Sequence, residues 1–141
     1  MNEYKCLALY IDLTNRKYET RELPDDMIHA FLGGYGLNAR IGYELIKPLT
    51  DPLSEDNPIV IGAGPLTGTA ASGCTKTAML SKFPLTGTIS SAICGCRFGM
   101  LLRQAGYNNL IITGKADSPV YIKILDDKVE FHDAAPLLRK D

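Results

Sequence analysis

Ile59-Val60-Ile61-Gly62-Ala63 runs straight into Gly64-Pro65-Leu66-Thr67-Gly68-Thr69, and that second stretch returns almost literally as Phe83-Pro84-Leu85-Thr86-Gly87-Thr88. The first five residues are wholly apolar and read as a buried strand. Lys76 to Lys82, between the two copies, reads as another strand, and Ile89 to Ser91 follow the second copy. Pro-x-Thr-Gly is turn chemistry, because Pro presets φ and Gly admits the backbone angles of a tight turn. No regular βαβα alternation surrounds these strands.

Outward from this centre the pattern holds. Lys5 to Leu13 predicts a strand with Leu7, Leu9 and Ile11 on one face, and Thr14-Asn15-Arg16 turns it into a second strand over Lys17 to Leu23. Pro24-Asp25-Asp26 reads as a helix start, with Asp as a capping residue and Met27, Ile28, Phe31 and Leu32 at helical spacing until Gly33-Gly34. A second helix is expected from Leu37 to about Ile46, with Leu37, Ile41 and Leu45 stacked, and Lys47-Pro48 ends it. Leu49 to Pro58, rich in proline and acid, is a surface loop. Toward the other end, a helix over Phe98 to Ala105 stops at Gly106 as an αL cap. Leu110 to Thr113 is an apolar strand, and Val120 to Leu125 pairs with Val129 to Phe131 through Asp126-Asp127. Ala134 to Asp141 resembles the approach to another helix, as in a truncated domain. The expected class is α+β: β-rich mixed or antiparallel sheet with a few short helices.

A chain of 141 residues is the size of one domain, here taken as 1–141. With 15 basic and 16 acidic residues spread along it, the charge balance argues against a nucleic-acid groove or an anionic membrane as partner. Met1 to Asp12 carries charge and alternates, unlike a signal peptide, and no stretch approaches the roughly 18 apolar residues of a membrane span. A soluble, cytoplasmic protein with reduced Cys6, Cys74, Cys94 and Cys96 is the expectation.

Chemistry-bearing residues cluster in the middle. The glycines and threonines of the two repeated loops (Gly68, Thr69, Gly87, Thr88) offer backbone N–H and hydroxyl donors suited to phosphate or a polar heterocycle; plain turns account for the same residues. Gly33-Gly34-Tyr35-Gly36 is open to two readings, an anion cradle at a helix start or a helix–helix turn. Lys76 and Arg97 are cations beside the glycine-rich loops, able to pair with phosphate oxygens or to sit in solvent. Cys94-Gly95-Cys96 reads either as a metal or redox pair or as core-filling thiols, and His29 and His132 are both far from it in sequence. No paired carboxylates and no Ser/His/Asp arrangement mark a self-sufficient active site.

In order, these segments resemble the amino-terminal domain of the aldehyde:ferredoxin oxidoreductase family, the tungsten- or molybdenum-dependent bis-pterin enzymes. The resemblance runs through Ile11-Asp12-Leu13-Thr14, Phe31-Leu32-Gly33-Gly34-x-Gly36, Asp51-Pro52-Leu53-Ser54-x-x-Asn57, both Pro-Leu-Thr-Gly loops and Phe98-Gly99. It ends on Ala105-Gly106-Tyr107-x-x-Leu110-Ile111-Ile112-x-Gly114-Lys115-Ala116 and Pro119-Val120-Tyr121. It implies a β-rich saddle whose loops contact two molybdopterins that jointly ligate one metal through their dithiolenes. It also implies aldehyde oxidation to a carboxylic acid, with electrons leaving through a [4Fe-4S] cluster to ferredoxin; a related branch reduces aromatic acyl-CoA rings.

On that resemblance Lys76 occupies a position where many members carry Arg near the cofactor, and Gly95 matches a glycine of an Asn-Ser-Gly-Gly loop beside the pterin. Ile93 replaces the Asn, Cys94 the Ser and Cys96 the second Gly, while Tyr35 stands where Arg is common. Gly73-Cys74-x-Lys76-Thr77 is closer to the ring-reducing branch. The implied cofactor-binding set is Gly68, Thr69, Lys76, Gly87, Thr88, Cys94, Gly95 and Arg97, with no catalytic residue and no protein ligand to the metal. Cluster and substrate cavity belong to the remaining domains of the same protein, so this chain alone is expected to be inactive, and apolar surface left uncovered would favour homo-oligomers. A stand-alone pterin-binding, assembly or structural module is the other reading.

Overall fold

The structure, a computed structural model, describes residues 5–138. Six strands form one mixed sheet: β1 (Leu7–Asp12), β2 (Lys17–Glu22), β3 (Ile59–Ala63), β4 (Lys76–Lys82), β5 (Ile89–Gly95) and β6 (Asn109–Thr113). Their spatial order is β2-β1-β6-β3-β4-β5. Only β1 and β6 run parallel, with Leu9 opposite Leu110; the other neighbours are antiparallel. Two strands, β7 (Val120–Leu125) and β8 (Lys128–Asp133), form a separate hairpin.

The sheet is covered on both faces, which is why its middle strands are apolar at nearly every position. On one face Ala8, Val60 and Ile111 meet Leu37 and Ile41 of α2 (Tyr35–Leu45), with Met27 and Ile28 of α1 (Asp25–Phe31) alongside. On the other, Leu9, Ile11 and Leu110 meet Leu102 of α3 (Phe98–Gln104) and Val129, Ile122 and Phe131 of the hairpin. Alternate residues of one strand thus enter opposite cores, and Leu7, Leu9 and Ile11 share a face as their spacing predicts. Each fully buried Leu or Ile here contributes about 1.5–3 kcal/mol over its exposed state. α2 lies close on the sheet because Gly42 has no side chain: a Cβ there would stand 2.4 Å from Leu80 Cδ2.

The expected class and element order hold, and the differences are local. β5 reaches Gly95 rather than Ser91, because the whole of it pairs with β4 from Lys82↔Ile89 to Lys76↔Gly95. Cys94 and Gly95 are therefore strand residues. α2 begins two residues earlier than its apolar spacing suggests, since Gly34 turns the chain into it with φ +53. The α1 start has Pro24 at its cap position, and Asp26 helps by accepting the Met27 N–H at 2.8 Å. Gly106 adopts φ +95 after α3, as expected of an αL stop. Ala135–Leu137 forms one short 3-10 turn, and the end of the expected final helix lies outside the described residues. Among the described residues no helix is long and apolar enough to cross a membrane.

Candidate functional site

Because β3 is antiparallel to β4, the loop that leaves β3 emerges beside the start of β4. Ala63 faces Thr77, and Thr67 Oγ1, itself buried, donates to the Lys76 carbonyl at 3.4 Å. β5 ends at the same place, with Gly95 opposite Lys76 and Cys94 opposite Thr77. The chain then enters α3, whose Gly99 N–H donates to the Thr77 hydroxyl at 2.9 Å. Gly99 is required there: a Cβ would lie 2.5 Å from that oxygen. Arg103, in the last turn of α3, donates from Nη1 to the Gly64 carbonyl at 3.1 Å, and Gly68 backs onto Met100. One end of the sheet therefore gathers Gly68, Thr69, Lys76, Cys94, Gly95 and Arg97, all exposed.

Gly87 and Thr88 are not in this group. They sit in the β4–β5 turn, at the far end of a seven-residue strand, about 20 Å away at ~3.3 Å per residue. The near-identical loops also fold differently. In the second, Phe83 N–H donates to Thr88 O at 3.0 Å and Gly87 N–H to Phe83 O at 2.9 Å, closing a hairpin. In the first, Thr67 N–H donates to Gly64 O and Thr69 N–H to Leu66 O, giving two successive turns in an open loop. Gly68 and Gly87 both take positive φ, +79 and +63, so the turn chemistry read from both copies is present.

Beside the gathered residues the sheet face carries an apolar cleft of ≈ 340 Å³. Ile61, Met79, Ala92, Cys94 and Phe98 line it, beside the start of α3. A flat ring fits such a shelf by dispersion and area, while the polar rim supplies direction. Ile93 also borders it and is exposed.

The two thiols of this end differ. Cys94 and Cys96 have sulfurs 3.3 Å apart, and Cys96 Sγ lies 3.5 Å from the Thr77 hydroxyl. Hydrogen bonds from Thr77, then Cys94, then the Phe98 backbone hold the Cys96 thiol below its ordinary value, while the bond to Cys96 pushes Cys94 above it. Cys6 is buried in the core, where desolvation raises it to about 11.

Gly33 and Gly34 serve packing against this end rather than an open cradle. Gly34 N–H donates to Ala63 O at 3.1 Å, and a Cβ on Gly33 would meet Pro65 Cδ at 3.0 Å. A Cβ on Gly36 would lie 2.3 Å from the Phe31 carbonyl. The histidines stay apart from the site: His29 is in α1, and His132 stacks on Tyr121 with Nε2 2.9 Å from Glu130 on the β7–β8 hairpin. Among the described residues no three His, Cys, Asp or Glu side chains meet as ligands for a metal ion.

Sequence reading missed Thr77, Met79 and Ile61. Their signal was the period of two along β4 and β3, which puts Thr77 and Met79 on the face of Cys94 once the register is known. It also left unexplained Asn57, whose Nδ2 donates to Pro52 O and Lys82 O at 2.7 and 2.9 Å while Oδ1 accepts the Lys82 N–H at 3.2 Å. That one amide fastens the long 49–58 loop to the end of β4.

Residues 8–141 match the family described as aldehyde ferredoxin oxidoreductase, N-terminal domain. The chain is 37% identical over 130 residues to a tungsten-containing aldehyde ferredoxin oxidoreductase of Pyrococcus furiosus, covering 92% of this chain and 22% of that protein. It is 39% identical over 140 residues to an aliphatic sulfonate oxidoreductase, WOR-like subunit, of the same organism, covering 95% and 22%. Among solved structures it is similar to the active site complex BamBC of benzoyl coenzyme A reductase in complex with 1,5 dienoyl-CoA. That likeness has a TM-score of 0.90 at 34% identity, over 93% of this chain and 20% of the other. The chain thus spans about a fifth of the length of the relatives it matches.

Proposed function

The chain belongs to the aldehyde ferredoxin oxidoreductase family, matching its N-terminal domain, and from that premise we propose that it holds the organic framework of a bis-molybdopterin cofactor carrying tungsten or molybdenum. The observation that supports this reading is that Lys76, Arg97, Gly68, Thr69 and Gly95 come to one end of the sheet, next to an apolar shelf lined by Ile61, Met79, Cys94 and Phe98. The donor set fits such a group. Lys76 and Arg97 are the cations for phosphate oxygens, and glycine N–H groups of the loop are neutral donors for pterin. Thr69 holds the loop's own turn by donating to Leu66 O, and Met79, Ile61 and Phe98 offer a surface for a ring. Gly87 and Thr88, a strand length away, suit contacts to a second pterin rather than to the first.

When bound, a cofactor of this class supplies a redox metal held by dithiolene sulfurs. This domain contributes charge, donors and exclusion of water from one side of it. In the whole protein we assign the oxidation of an aldehyde to a carboxylic acid, with ferredoxin receiving the electrons through a [4Fe-4S] cluster in the domains beyond this one. The 141 residues alone are then a binding domain without turnover, acting in the cytoplasm. A second reading, membership of the ring-reducing acyl-CoA branch, is favoured by the likeness to BamBC and by Gly73-Cys74-x-Lys76-Thr77.

The test is elemental analysis for tungsten, molybdenum and iron, with pterin fluorescence, on the intact gene product purified anaerobically. Metal and pterin together are expected, and Lys76→Glu is expected to lower both while Lys76→Arg keeps them, with unchanged circular dichroism. A folded wild-type protein with neither metal nor pterin overturns the cofactor reading in favour of a binding or assembly module. Ferredoxin-coupled aldehyde oxidation, set against reduction of an aromatic acyl-CoA, separates the two catalytic readings.

A further inference from the structure

Cys94, near the end of the outermost strand β5, and Cys96, just past that end, have sulfurs 3.3 Å apart, and we infer that they form a reversible thiol–disulfide pair exchanging with low-molecular-weight disulfides. The inference does not rest on the cofactor reading. A disulfide needs its sulfurs about 2 Å apart, so the pair has only about 1 Å to close. Nothing obstructs that movement. β5 has no strand beyond it, Cys94 is exposed, and a Cβ built on the intervening Gly95 meets no atom within 4 Å. Gly95 is thus free to absorb the backbone adjustment that a C-x-C closure requires.

The other thiols are unsuited to this chemistry. Cys6 is buried in the core, and Cys74 sits in the 64–75 loop with its sulfur 3.7 Å from the Ser72 carbonyl. A metal site is the weaker reading of the pair, since no third His, Cys, Asp or Glu joins it among the described residues, and a closed site needs four ligands.

The environments divide the labour. Cys96, bonded to Thr77 and Cys94, is the readier thiolate, and Cys94 keeps its proton. Cys96 thiolate attacks one sulfur of the small disulfide, making a mixed disulfide and expelling one thiolate. Cys94 then gives up its proton and attacks the Cys96 sulfur, closing the internal bond and expelling the second thiolate. The protein loses two protons and two electrons, and the small disulfide takes them up to become two thiols. Excess small thiol runs the sequence backwards.

The experiment equilibrates the purified full-chain protein in glutathione buffers of increasing oxidised fraction, quenches exchange with acid, caps free thiols with N-ethylmaleimide under denaturing, mildly acidic conditions, and digests with trypsin. Cleavage after Lys82 and Arg97 releases Phe83–Arg97, whose only cysteines are this pair. The expected product in oxidising buffer is that peptide uncapped and two hydrogens lighter, restored to double capping by dithiothreitol. With Cys94→Ser, glutathione should accumulate on Cys96; with Cys96→Ser, its addition to Cys94 should be several-fold slower at neutral pH. A peptide that stays doubly capped while Cys74 oxidises overturns the proposal. So does a pair that cross-links only to other molecules.

Discussion

Inside the core, Asn109 Nδ2 donates to Asn38 Oδ1 at 2.9 Å, joining β6 to α2 across the bare backbone of Gly62. Asn38 Nδ2 in turn donates to the Ala78 carbonyl of β4 at 2.9 Å, and both asparagines are fully buried. Two polar side chains thus bind a helix to two strands where apolar contacts alone would not fix its rotation. Asn38→Ala takes the acceptor from the buried Asn109 amide and one donor from the Ala78 carbonyl, at about 1–3 kcal/mol each. Urea unfolding should show a loss of about 2–4 kcal/mol; a loss under about 0.5 kcal/mol would remove the pair from the list of determinants.

Gly62→Ala should be at least as damaging. Its Cβ would stand 2.3 Å from Asn38 Oδ1 and 2.6 Å from Asn109 Nδ2, so one of the two amides must leave. Poor recovery of folded protein is expected on expression, and Gly62→Ala combined with Asn38→Ala should recover part of the loss. No recovery in the double variant would place the damage elsewhere.

Thr77 links two properties that are measured separately. Thr77→Val orphans the Gly99 N–H, a loss of about 1–3 kcal/mol, and removes the largest stabiliser of the Cys96 thiolate. The pH midpoint of Cys96 alkylation should therefore rise. A lower stability with an unmoved midpoint would mean that Thr77 serves only the helix.

Cys6 predicts a pH dependence at the alkaline side. Its thiol is raised from 9.0 to about 11 in the fold, so the unfolded chain releases its proton first. The contribution is complete below about pH 9 and is lost as pH rises through about 11. Unfolding of Cys6→Ala should lack this limb of the curve; an identical alkaline fall would assign it to other groups.

The two loop glycines should separate in size of effect. Gly87→Ala meets only the strain of a positive φ, about 1–2 kcal/mol, because nothing lies near its Cβ. Gly68→Ala adds a 3.4 Å approach to Met100 Cγ and should cost more. Equal losses in thermal unfolding would deny the contact between this loop and α3.

Much of the fold was legible because its devices are local. Leu7, Leu9 and Ile11 point one way by strand alternation, and Asp12 closes its own turn by accepting the Thr14 and Asn15 N–H groups at 2.9 and 3.1 Å. Registers were not legible, since they depend on partners far along the chain. That is why the end of β5 was missed, and with it the pairing of Cys94 with Thr77. Lys76 and Arg97 were visible as cations beside the glycine-rich loops, and Gly95 joined them through resemblance. The separation of Gly87 and Thr88 from them was not visible, because identical strings at opposite ends of one strand look alike in sequence. Several motif residues are fasteners of the fold: Lys115 N–H donates to Thr14 Oγ1 at 3.0 Å, joining strings that lie 101 positions apart.

The parallel pairing of β1 with β6 sets the order in which the molecule can be completed on the ribosome. β1 and β2 can close as soon as they emerge, but the inner edge of β1 has no partner until Asn109–Thr113 has been made. At roughly 5–20 residues per second, that edge waits on the order of 5–20 s. Contacts this remote in the chain also slow refolding relative to a helical domain of the same size. The nascent hairpin is thus an open strand edge during synthesis, and its charged outer strand, with Lys17, Glu19, Arg21 and Glu22 all exposed, discourages it from pairing with another chain in the meantime.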